Sequence, residues 1–261
     1  MMHTFREIKK RVYNSVKNTK LFKEIKSYLH FNSSRFHLKE FLQEAADTLG
    51  PEQKVLDAGS GEGFYSSLFT HTGYESTDFC GVDKTYGDIT FICNLENIPI
   101  SAERYDAVLL TQVIEHLPNP SDVLDEIHRI LKPTGKLWLT GPLFFPEHEA
   151  PYDFYRYTRY GLEHLLSRAG FQIVDLQPLE GYGATFSYQL KMAVKELPQN
   201  PTEYGGKVRG ILVSILLLLM KPWFLLLSKM LDTSDKANKI TNVGMCKNYR
   251  LIAVKSDRRL N

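Results

Sequence analysis

The residues with the clearest chemical potential form a short glycine-rich stretch, KVLDAGSGEG, at residues 54–63. Asp57 comes two residues before Gly59, and Ser60, Gly61 and Gly63 follow. Three glycines in five residues permit positive φ and let a ligand lie against the backbone where a Cβ would obstruct it. A carboxylate at this place suits an ammonium group and suits a phosphate poorly. The stretch therefore predicts a binding site for a small ligand.

Two elements must position this stretch. Val55 and Leu56 end an apolar run that predicts a buried strand, and Phe64, Tyr65 and Leu68 follow at helical spacing. The glycines then form a strand-to-helix turn. Ligands of open α/β sheets bind outside the carboxyl ends of the strands, which is where this turn falls.

Two ligands are compatible with such a turn. The nicotinamide-dinucleotide fingerprint is G-x-G-x-x-G, but here the third glycine comes one residue early and Phe64 follows it. The pattern D-x-G-x-G-x-G resembles motif I of the class I S-adenosylmethionine-dependent methyltransferases. The resemblance implies S-adenosylmethionine as cofactor, held by Asp57 and the four loop residues. A glycine-rich turn that serves packing alone is the remaining alternative.

Further cofactor residues follow along the chain. The stretch DFCGVD predicts a strand that ends at Asp83, about 20 residues beyond the last glycine, where a carboxylate accepts hydrogen bonds from a ribose diol. Lys84 lies beside it. The segment around Asn94 and Leu95 resembles the adenine-binding stretch of the same family, with Asn94 in place of the usual acid.

A second motif stretch is YDAVLLTQVIEHL, at residues 105–117. Its apolar run predicts a fully buried parallel strand that ends in Thr111 and Gln112 at the cofactor edge. The following V-x-E-H segment resembles the signature of the type 11 methyltransferase family, which implies that His116 shapes the cofactor pocket. The resemblance covers roughly residues 53–176.

A loop dense in polar and aromatic side chains, PEHEAPYDFYRYT, follows the predicted fifth strand. It is similar to loops of methyltransferases associated with bacterial surface-polysaccharide synthesis. Tyr152, Asp153, Arg156 and Tyr157 are candidate substrate contacts, because aromatic faces and charged donors suit a hydroxylated small molecule or glycan. His148 is the candidate general base. Alternatively, Asp153 and Arg156 form an ion pair that holds the loop.

The expected fold is α/β: a seven-stranded, mostly parallel, Rossmann-like methyltransferase sheet with an antiparallel last strand. A basic helical extension precedes the core and a helical insert separates strands six and seven. The predicted divisions are 1–50 for the extension, 51–180 for the cofactor-binding core, 181–244 for the insert and 245–261 for the last strand and tail.

Residues 208–231 of the insert are almost wholly apolar, broken by Lys221 and Pro222. Proline is expected to divide them into two short helices, neither of which reaches the ~20 residues needed to span a bilayer. Contact with an anionic membrane surface, a buried helical hairpin and an oligomer interface are three alternatives. The first forty residues, with ten Lys or Arg against three Glu, fit either a solvated helix face or the same membrane contact.

Composition excludes several classes of protein. The net charge of +2 gives no signature of nucleic-acid binding. The three cysteines, Cys80, Cys93 and Cys246, are scattered, so we expect neither a disulfide framework nor a metal site. The N-terminal residues lack the apolar core of a signal peptide, and a cytoplasmic location is expected, with peripheral contact to the inner face of a membrane. A nucleotide-dependent oxidoreductase and a non-catalytic scaffold protein remain alternatives to a methyltransferase.

Overall fold

The structure is a computed structural model that describes Thr19 and residues 33–256. The helices expected over most of the basic N-terminal segment lie outside the described residues. The described chain forms two compact units. One contains Phe186–Ser234, and the other contains Ser34–Thr185 together with the chain from Asp235 onward.

The larger unit contains seven strands in one sheet. They are β1 (Lys54–Ala58), β2 (Gly73–Asp78), β3 (Phe91–Ile92), β4 (Tyr105–Thr111), β5 (Leu131–Pro142), β6 (Phe171–Pro178) and β7 (Asn248–Lys255). The order across the sheet is β3-β2-β1-β4-β5-β7-β6. All pairs from β3 to β5 are parallel, whereas β7 runs antiparallel to both β5 and β6. The predicted fold class is confirmed.

Five α-helices accompany the strands in the described chain. They are α1 (Ser33–Asp47), α2 (Pro120–Ile130), α3 (Arg159–Arg168), α4 (Tyr182–Glu196) and α5 (Lys207–Ala237). Short 3-10 turns occur at Ser66–Phe69, Ile114–His116 and Pro201–Tyr204. The helix expected after the glycine loop is therefore only the first of these turns.

Neighbouring residues of a strand point to opposite sides of the sheet, and both sides are buried here. Leu56 of β1 packs with α2 and α3 on one face, and Val55 packs with α1 on the other. Trp138 of β5 lies 5.1 Å from Phe41 of α1, ring centroid to ring centroid. Burial of each such side chain contributes roughly 1.5–3 kcal/mol. This double-sided core fixes the carboxyl ends of β1, β2 and β4 at one edge.

The second strand differs from the sequence prediction. DFCGVD was expected to be a strand that ends at Asp83, but β2 is GYESTD and ends at Asp78. Residues 79–83 are not strand, and Asp83 is exposed. The polar side chains of β2 are satisfied inside the sheet: Ser76 Oγ donates to the carbonyl oxygen of Asp88, 2.8 Å away. Because these buried side chains are polar, the sequence of β2 contains no apolar run that would predict a buried strand.

The insert also differs from the prediction. Residues 207–237 form one continuous α-helix with Pro222 inside it, not two short helices. Proline removes one backbone hydrogen bond but does not end the helix here. The single helix is long and apolar enough to cross a membrane by length and composition, and its most apolar 18-residue window has a mean hydropathy of 2.3.

Candidate active site

The glycine loop leaves β1 in left-handed backbone conformations. Gly59, Gly61 and Gly63 have φ of 78°, 54° and 67°. A Cβ built on Gly59 would lie 2.5 Å from Cγ2 of Val113, whereas one built on Gly63 would meet nothing within 4 Å. Glycine is therefore required at residue 59 both by backbone conformation and by close approach.

Asp78, at the carboxyl end of β2, ties the loop to the next strand. Its Oδ2 accepts a hydrogen bond from the amide of Gly61 at 3.0 Å, and its Oδ1 accepts one from the amide of Cys80 at 3.1 Å. Asp78 is only 4% exposed and lines the cavity described below. Each carboxylate oxygen retains a second lone pair, so Asp78 can still accept from a ligand hydroxyl.

The loop amides are already occupied by protein acceptors. The amides of Gly59 and Ser60 both donate to the carbonyl oxygen of Thr77, at 2.8 and 3.1 Å, and the amide of Gly61 donates to Asp78. A phosphate-binding loop must aim such amides at its ligand. Three amides turned inward, beside a carboxylate, make this loop unsuited to a pyrophosphate.

Asp57 is buried at the end of β1 rather than open to the cavity. Tyr74 donates its phenolic hydrogen to Oδ2 of Asp57 at 2.8 Å. Burial raises the pKa of Asp57 to about 6; the hydrogen bond from Tyr74 opposes the rise and the nearby Asp78 adds to it. Asp57 does not line the cavity, and its contact with an ammonium group stays a prediction.

A cavity of about 250 Å³ opens beside the loop at the carboxyl edge of the sheet. It is lined by Gly59, Asp78, Phe79, Lys84, Asn94, Leu95, Glu96, Gln112, Val113, His116, Leu117, Pro118, Glu149 and Tyr152. Lys84 Nζ lies 3.1 Å from both carboxylate oxygens of Glu149, so an ion pair joins two of the lining loops. The mixture of apolar walls and a few polar groups is typical of a small-molecule site.

Backbone strain is concentrated at this cavity. Gln112 and Glu149 line it and have φ of 56° and 51°, in the left-handed region that non-glycine residues rarely adopt. Gln112 is held there because its amide and its Nε2 both donate to Oγ1 of Thr140, at 3.2 and 3.1 Å. Such strain clusters at functional sites, where surrounding structure maintains it.

The loop after β5 is held by an ion pair. Arg156 donates from Nη1 and Nη2 to the two carboxylate oxygens of Asp153, at 2.7 and 2.8 Å. This contact holds the pKa of Asp153 well below its usual range. Neither residue lines the cavity, so the geometry supports the alternative in which Asp153 and Arg156 form an ion pair that holds the loop.

Tyr157 was predicted to contact substrate, but it is buried in the core and its hydroxyl donates to the carbonyl of Ile114.

His148 has one ring nitrogen fixed by acceptors. Its Nδ1 lies 3.2 Å from the carbonyl oxygen of Pro146 and 3.2 Å from Oδ2 of Asp153. Both partners are acceptors, so Nδ1 carries the proton and Nε2 is left with a lone pair. His148 does not line the cavity itself, but its ring packs edge-on against that of His116, which does, at 4.7 Å.

Glu115 is the most unusual titratable group of the site. It is 1% exposed, and neither carboxylate oxygen has a hydrogen-bond partner in the described part of the chain. Burial raises its pKa to about 8. The nearest cation-forming group is His116, whose Nε2 lies 3.9 Å from Oε1 of Glu115. Burial also lowers the pKa of His116, whose Nδ1 donates to the carbonyl of Tyr152.

These side chains form a candidate cation site. The ligand atoms of Glu115, His116 and His148 all lie within 4.8 Å of one another. Carboxylate and imidazole are suitable ligands for divalent transition metals. The sequence predicted no metal, and that expectation stays a prediction.

The predicted site residues thus divide into two groups. Those that line the cavity are Gly59, Lys84, Asn94, Leu95, Gln112, His116 and Tyr152. Those that do not are Asp57, Ser60, Gly61, Gly63, Asp83, Thr111, His148, Asp153, Arg156 and Tyr157. Sequence reasoning missed Asp78 and Glu149, although Asp78 could have been found as the first acid of the DFCGVD stretch.

The glycine loop supports a test of stability. We expect Gly59→Ala to destabilise the protein more than Gly63→Ala. Both variants acquire a left-handed alanine, which costs roughly 1–2 kcal/mol. Gly59→Ala also forces its new Cβ into Val113, and overpacking adds about 1–3 kcal/mol. Denaturant midpoints of the two variants would show the difference, and equal midpoints would contradict it.

Known proteins share sequence similarity with part of this chain. A family model described as a methyltransferase domain matches residues 28–176. A ubiquinone biosynthesis O-methyltransferase of Pseudomonas entomophila is 30% identical over 104 residues, which cover 34% of this chain and 44% of that protein. A probable S-adenosylmethionine-dependent methyltransferase of Mycolicibacterium smegmatis is 28% identical over 135 residues, covering 46% and 52%. The chain spans about half the length of the curated relatives it matches.

Solved structures share the fold. The [4+2]-cyclase SpnF matches with a TM-score of 0.50 and 17% identity, covering 82% of this chain and 80% of that one. The YcgJ protein of Bacillus subtilis matches with a TM-score of 0.50 and 15% identity, covering 85% and 100%. At this identity the likeness concerns the fold alone.

Proposed function

Since the chain belongs to the methyltransferase domain family, we propose that it transfers a methyl group from S-adenosylmethionine to an oxygen or nitrogen of a small acceptor. One observation carries the proposal. The amides of the glycine loop donate to protein acceptors, and Asp78 at the end of β2 lines the cavity. This arrangement suits a cofactor with hydroxyl groups and no phosphate. The same observation disfavours a nucleotide-dependent oxidoreductase.

The cavity contains suitable groups for each part of the cofactor. Asp78 would accept hydrogen bonds from the ribose hydroxyls, in place of the Asp83 predicted from the sequence. Gly59 lines the cavity without a Cβ of its own, and the side chain of Val113 fills the space where one would lie. Asn94 and Leu95 line the wall where an adenine would lie. Gln112 and His116 line the remaining wall. When bound, S-adenosylmethionine supplies a methyl group on a positively charged sulfur.

The chain's own contribution to the reaction would be alignment and proton removal. Alignment of acceptor and methyl carbon to ~3–3.5 Å supplies most of the acceleration in transfers of this kind. A hydroxyl or ammonium acceptor must also lose a proton, and the proposed base is His148, which would accept it at Nε2. Asp153 would hold the imidazole in that tautomer through Nδ1.

The acceptor is proposed to be a hydroxyl of a small or glycan-type molecule, including a lipid-linked one, as in surface-polysaccharide synthesis. Several relatives are ubiquinone biosynthesis O-methyltransferases, which favours oxygen over nitrogen as the acceptor atom. The loop after β5 also exposes four aromatic rings, Phe144, Tyr152, Phe154 and Tyr155. Flat apolar faces of this kind stack on sugar or aromatic rings. The proposed location is the cytoplasmic face of a membrane.

A binding measurement tests the cofactor assignment. We expect Asp78→Asn to weaken binding of S-adenosylmethionine about tenfold or more, since hydrogen bonds to a charged group contribute roughly 1.5–3 kcal/mol. Asp83→Asn is the matched control, because Asp83 is exposed and does not line the cavity. Isothermal titration calorimetry on both variants would measure the effect.

Three outcomes would contradict the proposal. Weakened binding in Asp83→Asn with normal binding in Asp78→Asn would restore the sequence-based assignment. Tighter binding of NAD than of S-adenosylmethionine to the wild type would favour the oxidoreductase. Binding of S-adenosylmethionine without methyl transfer to any hydroxylated acceptor in a panel would favour a non-catalytic protein.

A further inference from the structure

Helix α5 carries its apolar side chains on the outside. Leu212, Leu216, Leu219 and Trp223 follow at spacings of four, three and four residues, so they lie on one face of the helix. They are between 59% and 63% exposed. Only 6% of the most apolar 18-residue window is buried.

The opposite face of α5 is small, polar and buried. Gly210 packs so closely that an added Cβ would lie 2.1 Å from the carbonyl oxygen of Pro201. Eighteen residues, or five turns, further on, Ser228 is buried and its carbonyl oxygen accepts from Ser187 Oγ of α4 at 2.9 Å. Asp232, one turn later, is buried and forms an ion pair with Lys191 of α4.

This arrangement is the reverse of an ordinary surface helix, which buries its apolar face and exposes its polar one. A contiguous exposed apolar face of this length is unfavourable in water and marks an interaction site. On the polar face, the carbonyl of Ser228 and the carboxylate of Asp232 already have partners on α4. The exposed apolar face is therefore the surface that requires a partner.

The charges of α5 identify the partner. Between residues 207 and 231 every charged residue is basic: Lys207, Arg209, Lys221 and Lys229. The acidic residues of the helix, Asp232 and Asp235, are both buried. Basic side chains beside an exposed apolar face complement anionic lipid headgroups, and Trp223 is of the type enriched at membrane interfaces. We propose that α5 docks on an anionic lipid surface.

Connectivity determines how the helix lies. At 31 residues, or about 46 Å, α5 exceeds the ~20 residues that span a bilayer. However, α4 contacts α5 near Ser228 and Asp232, close to the carboxyl end. If α5 crossed the bilayer, residues 192–206 would have to cross beside it. They include Lys195, Glu196 and a non-helical segment after α4, which lipid does not accommodate. The helix therefore lies in the plane of the interface.

This inference is independent of the acceptor and of the methyl transfer itself. The probe is flotation with vesicles of phosphatidylcholine containing phosphatidylglycerol, compared with vesicles of phosphatidylcholine alone. We expect the wild-type chain to float with the anionic vesicles, and raised salt to reduce the floating fraction. A variant with Leu216→Glu, Leu219→Glu and Trp223→Ser should float about tenfold less.

Matched controls separate docking from misfolding and from catalysis. Val174→Glu removes an equally exposed apolar side chain from β6 and should float like the wild type. The triple variant should retain the helical circular dichroism and the S-adenosylmethionine affinity of the wild type, because its substitutions lie on an exposed face. Loss of flotation together with retained cofactor affinity isolates the lipid contact.

Three results would overturn the inference. In the first, the wild type stays in the soluble fraction at low salt. In the second, the wild type binds no vesicles and is a dimer, whereas the triple variant is a monomer, which would assign the apolar face to another copy of the chain. Resistance of the vesicle-bound protein to alkaline carbonate extraction would instead indicate a spanning helix.

Discussion

Replacement of His148 by alanine is expected to lower turnover by about a hundredfold or more, which is the usual range for loss of a general base. Affinity for S-adenosylmethionine should be unchanged, because His148 does not line the cavity. Steady-state kinetics, with calorimetry of cofactor binding, would measure both effects.

Two further variants give this prediction its specificity. Asp153→Asn should reduce turnover less than His148→Ala, because the imidazole remains but its Nδ1 loses the carboxylate that orients it. His164→Ala, on the exposed side of α3, is the control and should behave as the wild type. If His116→Ala abolishes turnover while His148→Ala does not, the base is His116, which lies on the cavity wall.

Replacement of Glu115 by glutamine is expected to stabilise the protein at alkaline pH by several kcal/mol, on the order of 2–5 kcal/mol. Burial raises the pKa of Glu115 to about 8, above the value of an unfolded chain. The stabilising contribution of the protonated carboxyl is therefore complete at about pH 4 and is lost as pH rises to about 8. Glutamine cannot ionise, so the variant should lack this decline.

Denaturant unfolding of wild type and Glu115→Gln at pH 5, 7 and 9 would measure the difference. Glu52→Gln, at an exposed position, serves as the control and should follow the wild type. Parallel declines in wild type and Glu115→Gln would show that the carboxyl does not cause them. If a divalent cation stabilises the wild type at neutral pH but not Glu115→Gln, the cluster of Glu115, His116 and His148 binds it.

Sequence patterns predicted those parts of the fold that depend on burial of apolar residues. The runs of β4 and β5 are apolar because both of their faces are covered, and the predicted position of β4 is confirmed. The pattern around β2 gave the wrong strand, because Ser76 and Thr77 are buried by hydrogen bonding rather than by apolar contact. The sequence therefore predicted Asp83 as the ribose-binding acid, five residues after Asp78, the acid that lines the cavity.

Side-chain direction in the loop after β5 could not be predicted. A loop has no periodicity, so nothing in the sequence distinguished Tyr152, on the cavity wall, from Tyr157, in the core. The continuity of α5 through Pro222 was also missed. An interior proline normally ends a water-exposed helix, whereas membrane helices tolerate it.

The position of the insert between β6 and β7 has a consequence for synthesis of the chain. Among the strands of the described residues, β6 pairs with β7 alone, and β7 begins 70 residues after β6 ends. During translation, β6 and the carboxyl-terminal part of β5 therefore lack their partner until β7, which follows α5, has left the ribosome. Unpaired strand edges are prone to aggregation until their partner strand has been synthesised. The apolar helix α5 is thus synthesised before the sheet can close, so the lipid contact proposed for α5 could form before folding is complete.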